Sequence, residues 1–261
     1  MSPRLREARN RYEGSYFTNS CGETCRVVVY ENAKEVYITF DGSVYPKPFR
    51  IGNLVRGEFT NLYRPAVRGV GYLGIGDYSA KNKMEYLTWT NMLKRVYDDK
   101  TKDVQPSYKS SKVCDEWLNF QNFAKWCNSQ EFFNAKDAKG RSYQLDKDLI
   151  VLGSKTYSPE SCCFIPQSLN LAVSKRISNR KHPTGVRFDD KVGKFSASLT
   201  KFSSRVSLGY FDNKQDAFLA FKFAKEKYIK DLAEIYKGSI CDRAYKALLS
   251  YQVSEETSLL C

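Results

Sequence analysis

TGVRFDDKVGKFSASLTKFSSRVSLGYFDNKQDAFLAFKFAKEKYI, Thr184–Ile229, decides the fold. Three runs in it, Thr184–Phe188, Lys194–Leu199 and Arg205–Phe211, alternate apolar with small or polar residues and are separated by Asp, Gly and Ser, which predicts three strands joined by tight turns. Asp212 followed three residues later by Gln215 has the spacing of a capping box. The helix it opens buries Ala217, Phe221, Ala224, Tyr228, Leu232 and Ile235 at helical spacing and stops at Gly238. A last helix is predicted over Ser239–Tyr251, with a frayed tail after it.

One helix across the back of a three-stranded sheet leaves the other face free. Strand side chains alternate, so if Phe195, Ala197 and Leu199 meet the helix, Ser196, Ser198 and Thr200 point away from it. Arg187 on the first strand and Arg205 and Ser207 on the third can share that outer face, with Lys194 and Lys201 at the ends of the middle strand. Arginines among short hydroxyl side chains suit a major groove, where guanidiniums grip guanine edges or phosphates and small residues let the backbone approach.

Charge agrees with such a partner. The chain holds 42 Lys and Arg against 29 Asp and Glu, a net +13, and residues 171–238 alone carry 15 basic against 7 acidic residues. A polyanion releases counterions on meeting a concentrated positive field. Just upstream, LNLAVSKRISNRKH (Leu169–His182) has little apolar periodicity and reads as a basic tether, one that tracks a backbone or is simply solvated.

Further upstream, Ser142–Pro166 (SYQLDKDLIVLGSKTYSPESCCFIP) has the outline of a ββα hairpin: a strand over Gln144–Ile150, a Gly-Ser turn, a helix start at Ser158-Pro159-Glu160 and a returning strand at Cys163–Ile165. Two amphipathic helices precede it. Tyr86, Trp89, Leu93 and Val96 line one, with Lys94, Arg95, Asp98 and Asp99 facing out, and Trp117, Phe120, Ala124 and Cys127 line the other. The linker Lys100–Lys112 is polar. Residues 16–63 alternate as strands, notably Arg26–Tyr30 and Val36–Phe40, and predict a small all-β module.

The remaining features carry little chemistry. GVGYLGIG (Gly69–Gly76) lacks the Lys-Ser/Thr of a phosphate loop. Cys21 and Cys25 have the spacing of half a zinc site but no second pair, and the eight cysteines are expected as buried thiols. No apolar run approaches the ~18 residues of a membrane span and no secretory h-region opens the chain, so a soluble cytoplasmic protein is expected. The fold class predicted is α+β: an N-terminal β module over 1–69, a ββα region with two helices over 70–170, and a three-stranded sheet plus helix over 171–261.

Gly185-Val186-Arg187, Lys194–Leu199, Leu208-Gly209-Tyr210-Phe211 and the helical Asp216-Ala217-Phe218 with Ala220-Phe221 resemble an AP2-type DNA-binding domain. The resemblance implies a sheet that reads the major groove through Arg187, Ser196, Ser198, Arg205 and Ser207. Tyr86–Trp89, Met92–Arg95, Cys114–Phe120, Leu145–Asp148 and Tyr157–Glu160 resemble phage-type HNH homing endonucleases. Such enzymes need a histidine base on the first strand, an adjacent metal ligand and asparagines beyond.

The chain departs from that pattern. The histidine position falls on Gln144 or on Lys147, beside Asp146, and the loop asparagine position reads Gly153-Ser154-Lys155. The one histidine, His182, lies outside the hairpin. Gln144 takes no proton, and Lys147 stands between two carboxylates that favour an ammonium, the wrong form for a base. Gln144, Asp146, Lys147 and Ser154 are therefore vestigial catalytic positions.

The function implied is a sequence-specific double-stranded DNA-binding protein of a bacterial host cell's cytoplasm, a transcriptional repressor derived from a homing endonuclease, with no cofactor. The alternative is an active nicking endonuclease, which would need Mg²⁺. A basic RNA- or ribosome-associated protein is a third possibility, from another class.

Overall fold

The computed structural model describes residues 1–40, 44–81, 83–174, 182–202 and 204–253. It is an α+β protein with several small sheets, eight helices among the described residues, and a C-terminal three-stranded sheet packed on a long helix. No helix among these residues is long and apolar enough to cross a membrane. Two compact units are present, Met1–Tyr78 with Asn119–Gln121, and Ser79–Leu118 with Asn122–Cys261.

The first unit is not all-β. Helix α1 (Pro3–Tyr12) precedes the antiparallel sheet β1 (Tyr16–Thr18), β2 (Thr24–Asn32) and β3 (Glu35–Thr39), and α2 (Ile51–Val55) follows. Ser2 caps α1 by accepting from the Leu5 N–H, and Pro3 supplies a pre-set φ at the first turn. The helix buries no residue fully and touches the core through half-buried Leu5, Ala8 and Tyr12, so its sequence carries no strong apolar stripe. Cys25 lies in that core and Cys21 at the surface. Burial pushes the Cys25 thiol up to about 11. No group of three potential metal ligands exists among the described residues.

The second unit begins with α3 (Met84–Tyr97), which buries Trp89, Met92, Leu93 and Val96. The linker expected after it is folded: α4 (Asp99–Val104) and then β4 (Lys112–Val113). A 3₁₀ turn carrying buried Trp117 leads to α5 (Phe120–Ser129), and Trp89 Nε1 donates to the Trp117 carbonyl at 2.7 Å. Arg95 does not face out. Its guanidinium is buried, where it feels Tyr157, Tyr108 and Asp146.

The hairpin is shorter than its apolar run suggests. β5 (Gln144–Asp146) pairs antiparallel with β7 (Cys163–Ile165), while β6 (Thr156–Tyr157) pairs in parallel with β4. The strand stops at Asp146 because its carboxylate accepts the N–H groups of Asp148 and Leu149, bending the backbone away. Ser158–Ser161 is a turn and not a helix start, its Ser158 N–H donating to Ser161 Oγ. The helix of the motif comes after the second strand, as α6 (Gln167–Val173). The expected tether thus begins as helix, with Leu169 and Val173 buried, and its basic residues 175–181 lie outside the described residues. The boundary expected at 170/171 falls within α6.

β8 (Val186–Asp189), β9 (Lys194–Lys201) and β10 (Ser204–Phe211) form an antiparallel sheet with β9 in the middle. α7 (Lys214–Ile235) crosses its back, and Val186, Ala197 and Leu199 pack with Ala217, Phe218, Phe221, Tyr228 and Ile229. Each large side chain so buried contributes about 1.5–3 kcal/mol. The cap is Asn213, one residue later than Asp212, and it accepts from the Asp216 N–H at 2.8 Å. Ile235 is 60% exposed, and Phe218, Ile229 and Ala233 hold the places the periodic reading missed. α8 (Asp242–Leu249) is shorter than the span predicted. The same core takes in Leu149, Cys163, Ile165, Leu169 and Leu248, so hairpin, sheet and C-terminal helices share one interior.

Candidate nucleic-acid interface

Cross-strand register sets which side chains share a face. Arg187 pairs with Ser196, Ser207 with Ser198, and Arg205 with Thr200. Ala197 and Leu199, between them on β9, are buried against α7, so these pairs all lie on the opposite, outer face. Arg187, Ser196, Ser198, Arg205 and Ser207 are thus brought together as the sequence predicts.

The arginines are held lightly. Arg205 Nε donates to Ser198 Oγ at 3.0 Å, and Ser196 Oγ donates to the Arg187 carbonyl at 3.1 Å. The Arg187 guanidinium is 3.9 Å from the Asp189 carboxylate. Lys194 Nζ is 2.9 Å from Asp212 Oδ1. Ion pairs near the surface contribute little to stability.

Lys201 is placed apart from the others. Its position on β9 points it to the helix side, where Nζ sits 5.5 Å from the Tyr228 ring centroid. Tyr210 takes a place the alternation did not assign it. The pairing shifts between Ser207 and Gly209, leaving Leu208 as the extra residue of a β-bulge, and Gly209 adopts φ 115°. The slip turns Tyr210 onto the outer face opposite Ser196, where it is 52% exposed and its hydroxyl donates to Asp189 Oδ2 at 3.4 Å. A glycine inside a strand pattern is the signal that could have found it.

The hairpin positions are occupied by structural hydrogen bonds. Gln144 Oε1 accepts from Asn170 Nδ2 at 3.0 Å. Asp146 is 7% exposed, its Oδ2 accepts two backbone N–H groups, and burial raises its pKa. Lys147 is equally buried, and its ammonium donates to Asp148 Oδ1 at 2.6 Å and to the Ser154 carbonyl at 2.8 Å. Ser154 Oγ closes its own turn by donating to the Thr156 carbonyl.

Burial opposes the Arg95 charge, but Tyr157, Tyr108 and Asp146 outweigh it, and the guanidinium's pKa stands raised. Burial likewise lifts the Tyr157 phenol. This is a packed polar network with an internal cation for Asp146. The donor set does not fit a divalent ion: Asp146 faces backbone N–H groups and Asp148 is engaged by Lys147.

Comparison of the chain with protein-family models, with curated proteins and with solved structures gives no match.

Proposed function

We propose that the chain is a sequence-specific double-stranded DNA-binding protein that seats the outer face of β8–β10 in a major groove and occupies its site without cutting it, as a transcriptional repressor in a bacterial cytoplasm. The observation that carries this reading is the shared face of Arg187, Ser196, Ser198, Arg205 and Ser207, with Tyr210 beside them. Guanidiniums there supply bidentate donors for guanine edges, and the short hydroxyls leave room for the sheet to enter. The net charge of +13 supports a polyanionic partner. The absence of cleavage follows from the hairpin, where the base position of the resembled enzymes falls on Gln144 or on Lys147, neither a histidine and both tied into the fold.

The test is a footprint of the full chain on fragments of its own genome, followed by incubation of the protected duplex with Mg²⁺ or Mn²⁺. One protected site at nanomolar protein in moderate salt, left intact by either metal, is the expected result. Nicking that disappears in Asp146→Ala would overturn the non-cleaving half. Structured RNA outcompeting the duplex would overturn the whole.

A further inference from the structure

We propose that Asp189 sets the donor and acceptor roles of its neighbours so that Arg187 and Tyr210 read one G·C base pair, Arg187 on the guanine and Tyr210 on the 4-amino group of the cytosine. The inference rests on the major-groove reading above and specifies the pair that reading would select. Arg187 and Tyr210 belong to one row across the sheet, each paired with Ser196 from its own side of β9. Ser196 is short and its Oγ is turned to the Arg187 carbonyl, so the middle of the row holds no bulky group. Both side chains converge on Asp189 Oδ2. The Tyr210 hydroxyl donates to it at 3.4 Å, and Arg187 Nη2 lies 3.9 Å from it.

Asp189 is itself held by the turn that follows β8. Its Oδ1 accepts the Lys191 N–H at 3.1 Å, and its carbonyl accepts the N–H groups of Val192 and Gly193. Its side chain is 17% exposed against 67% for Arg187, so the carboxylate is screened while the guanidinium is presented. A carboxylate on a face meant for a polyanion repels phosphate. It therefore favours base edges over backbone at this row, and base edges are where sequence is read.

Hydrogen-bond capacity then divides the roles. A carboxylate only accepts, and a phenol has one proton to give. With that proton directed at Asp189, the Tyr210 oxygen turns only lone pairs outward, so it can accept from a base amino group and has nothing to give a phosphate. Arg187 is the converse, because a guanidinium carries several N–H donors and no acceptor, and those not facing the carboxylate remain for guanine O6 and N7. Donors beside an acceptor complement the major-groove edge of G·C, which shows guanine N7 and O6 and then the cytosine N4 amino group. At A·T the Tyr210 oxygen would meet thymine O4, a second acceptor.

The experiment measures the affinity of the full chain, at fixed salt, for the footprinted duplex and for copies in which each G·C pair in turn becomes A·T. At each sensitive pair the cytosine is then replaced by 2-pyrimidinone, which lacks the 4-amino group and leaves guanine N7 and O6 in place. The expected result is one pair at which both changes weaken wild-type binding by about 10-fold. In Tyr210→Phe, which keeps the ring without the hydroxyl, removal of that amino group should no longer matter. Asp189→Ala, which releases the phenol proton, should lose the same preference, a change that a merely structural role for the carboxylate would not produce. If Asp189→Ala fails to fold, the exposed Tyr210→Phe decides the matter. A protected duplex whose wild-type affinity ignores the amino group at every G·C pair would overturn this inference alone, as would an undiminished preference in either variant. Failure to find any protected duplex would overturn the major-groove reading and this inference with it.

Discussion

Arg205 reaches from β10 across to β9, where its Nε donates to Ser198 Oγ at 3.0 Å. One bond of this kind aims a guanidinium while leaving its two terminal nitrogens for a ligand. It links the serine on the central strand to the arginine as an orienting partner, and such orientation reduces the entropy lost on binding.

Arg205→Ala and Arg187→Ala should each weaken binding to the footprinted duplex by about 1–3 kcal/mol, with little effect on random duplex. Ser198→Ala should cost less than Arg205→Ala, since the arginine remains. Lys201→Ala, on the helix side of the sheet, should leave duplex affinity unchanged. Fluorescence anisotropy at fixed salt checks all four, and equal losses for Lys201→Ala and Arg205→Ala would place the contact surface elsewhere.

Gly209 holds φ 115°, a conformation that L side chains rarely adopt, and it lies in the bulge that turns Tyr210 outward. Gly209→Val should destabilise the chain by about 1–3 kcal/mol and weaken specific binding as Tyr210 is re-aimed. Tyr210→Ala should weaken binding without the stability loss. Urea denaturation beside anisotropy separates the two, and loss of stability alone in both variants would remove Tyr210 from the interface.

Gly185 (φ 83°) lies directly over the Phe221 ring, leaving no room for a Cβ. Gly185→Ala meets both the positive φ and the ring, and should cost about 2–4 kcal/mol. Phe221→Leu in the same chain should relieve the clash but not the backbone strain, so partial recovery in chemical denaturation is expected.

Burial raises the Asp146 pKa above its ordinary value. A carboxyl so shifted stabilises the fold fully below the ordinary carboxylate pKa of about 3.9, and that contribution is lost as pH rises through the folded value. Asp146→Asn keeps an acceptor for the Asp148 and Leu149 N–H groups without the charge. Its stability relative to wild type should therefore increase with pH across that window. Denaturation series from mildly acidic to neutral pH would show it, and a flat difference would mean that Asp146 titrates normally.

Much of the sheet was legible because its pattern has period two and its turns carry Asp, Gly and Ser. Ser196, Ser198 and Arg187 fell on the expected face for that reason. Tyr210 did not, because a bulge adds one residue and reverses the parity of everything after it. Arg95 was misread since an outward helical position says nothing of neighbouring strands, here the two that supply Tyr157 and Asp146. Ile235 was placed inside by stepping three residues on from Leu232, whereas the buried face of that last turn runs through Ala233 and Tyr236. α1 was missed because its stability comes from a Ser2 cap and half-buried contacts, neither of which makes a strong stripe.

The interior common to Leu149, Ile165, Leu169, Ala197 and Phe221 limits how the chain can be shortened. A hairpin whose strands supply walls to the C-terminal sheet's own core cannot be trimmed away without opening that core. Its apolar residues are fixed by packing, and Asp146 and Lys147 by the backbone groups they bond.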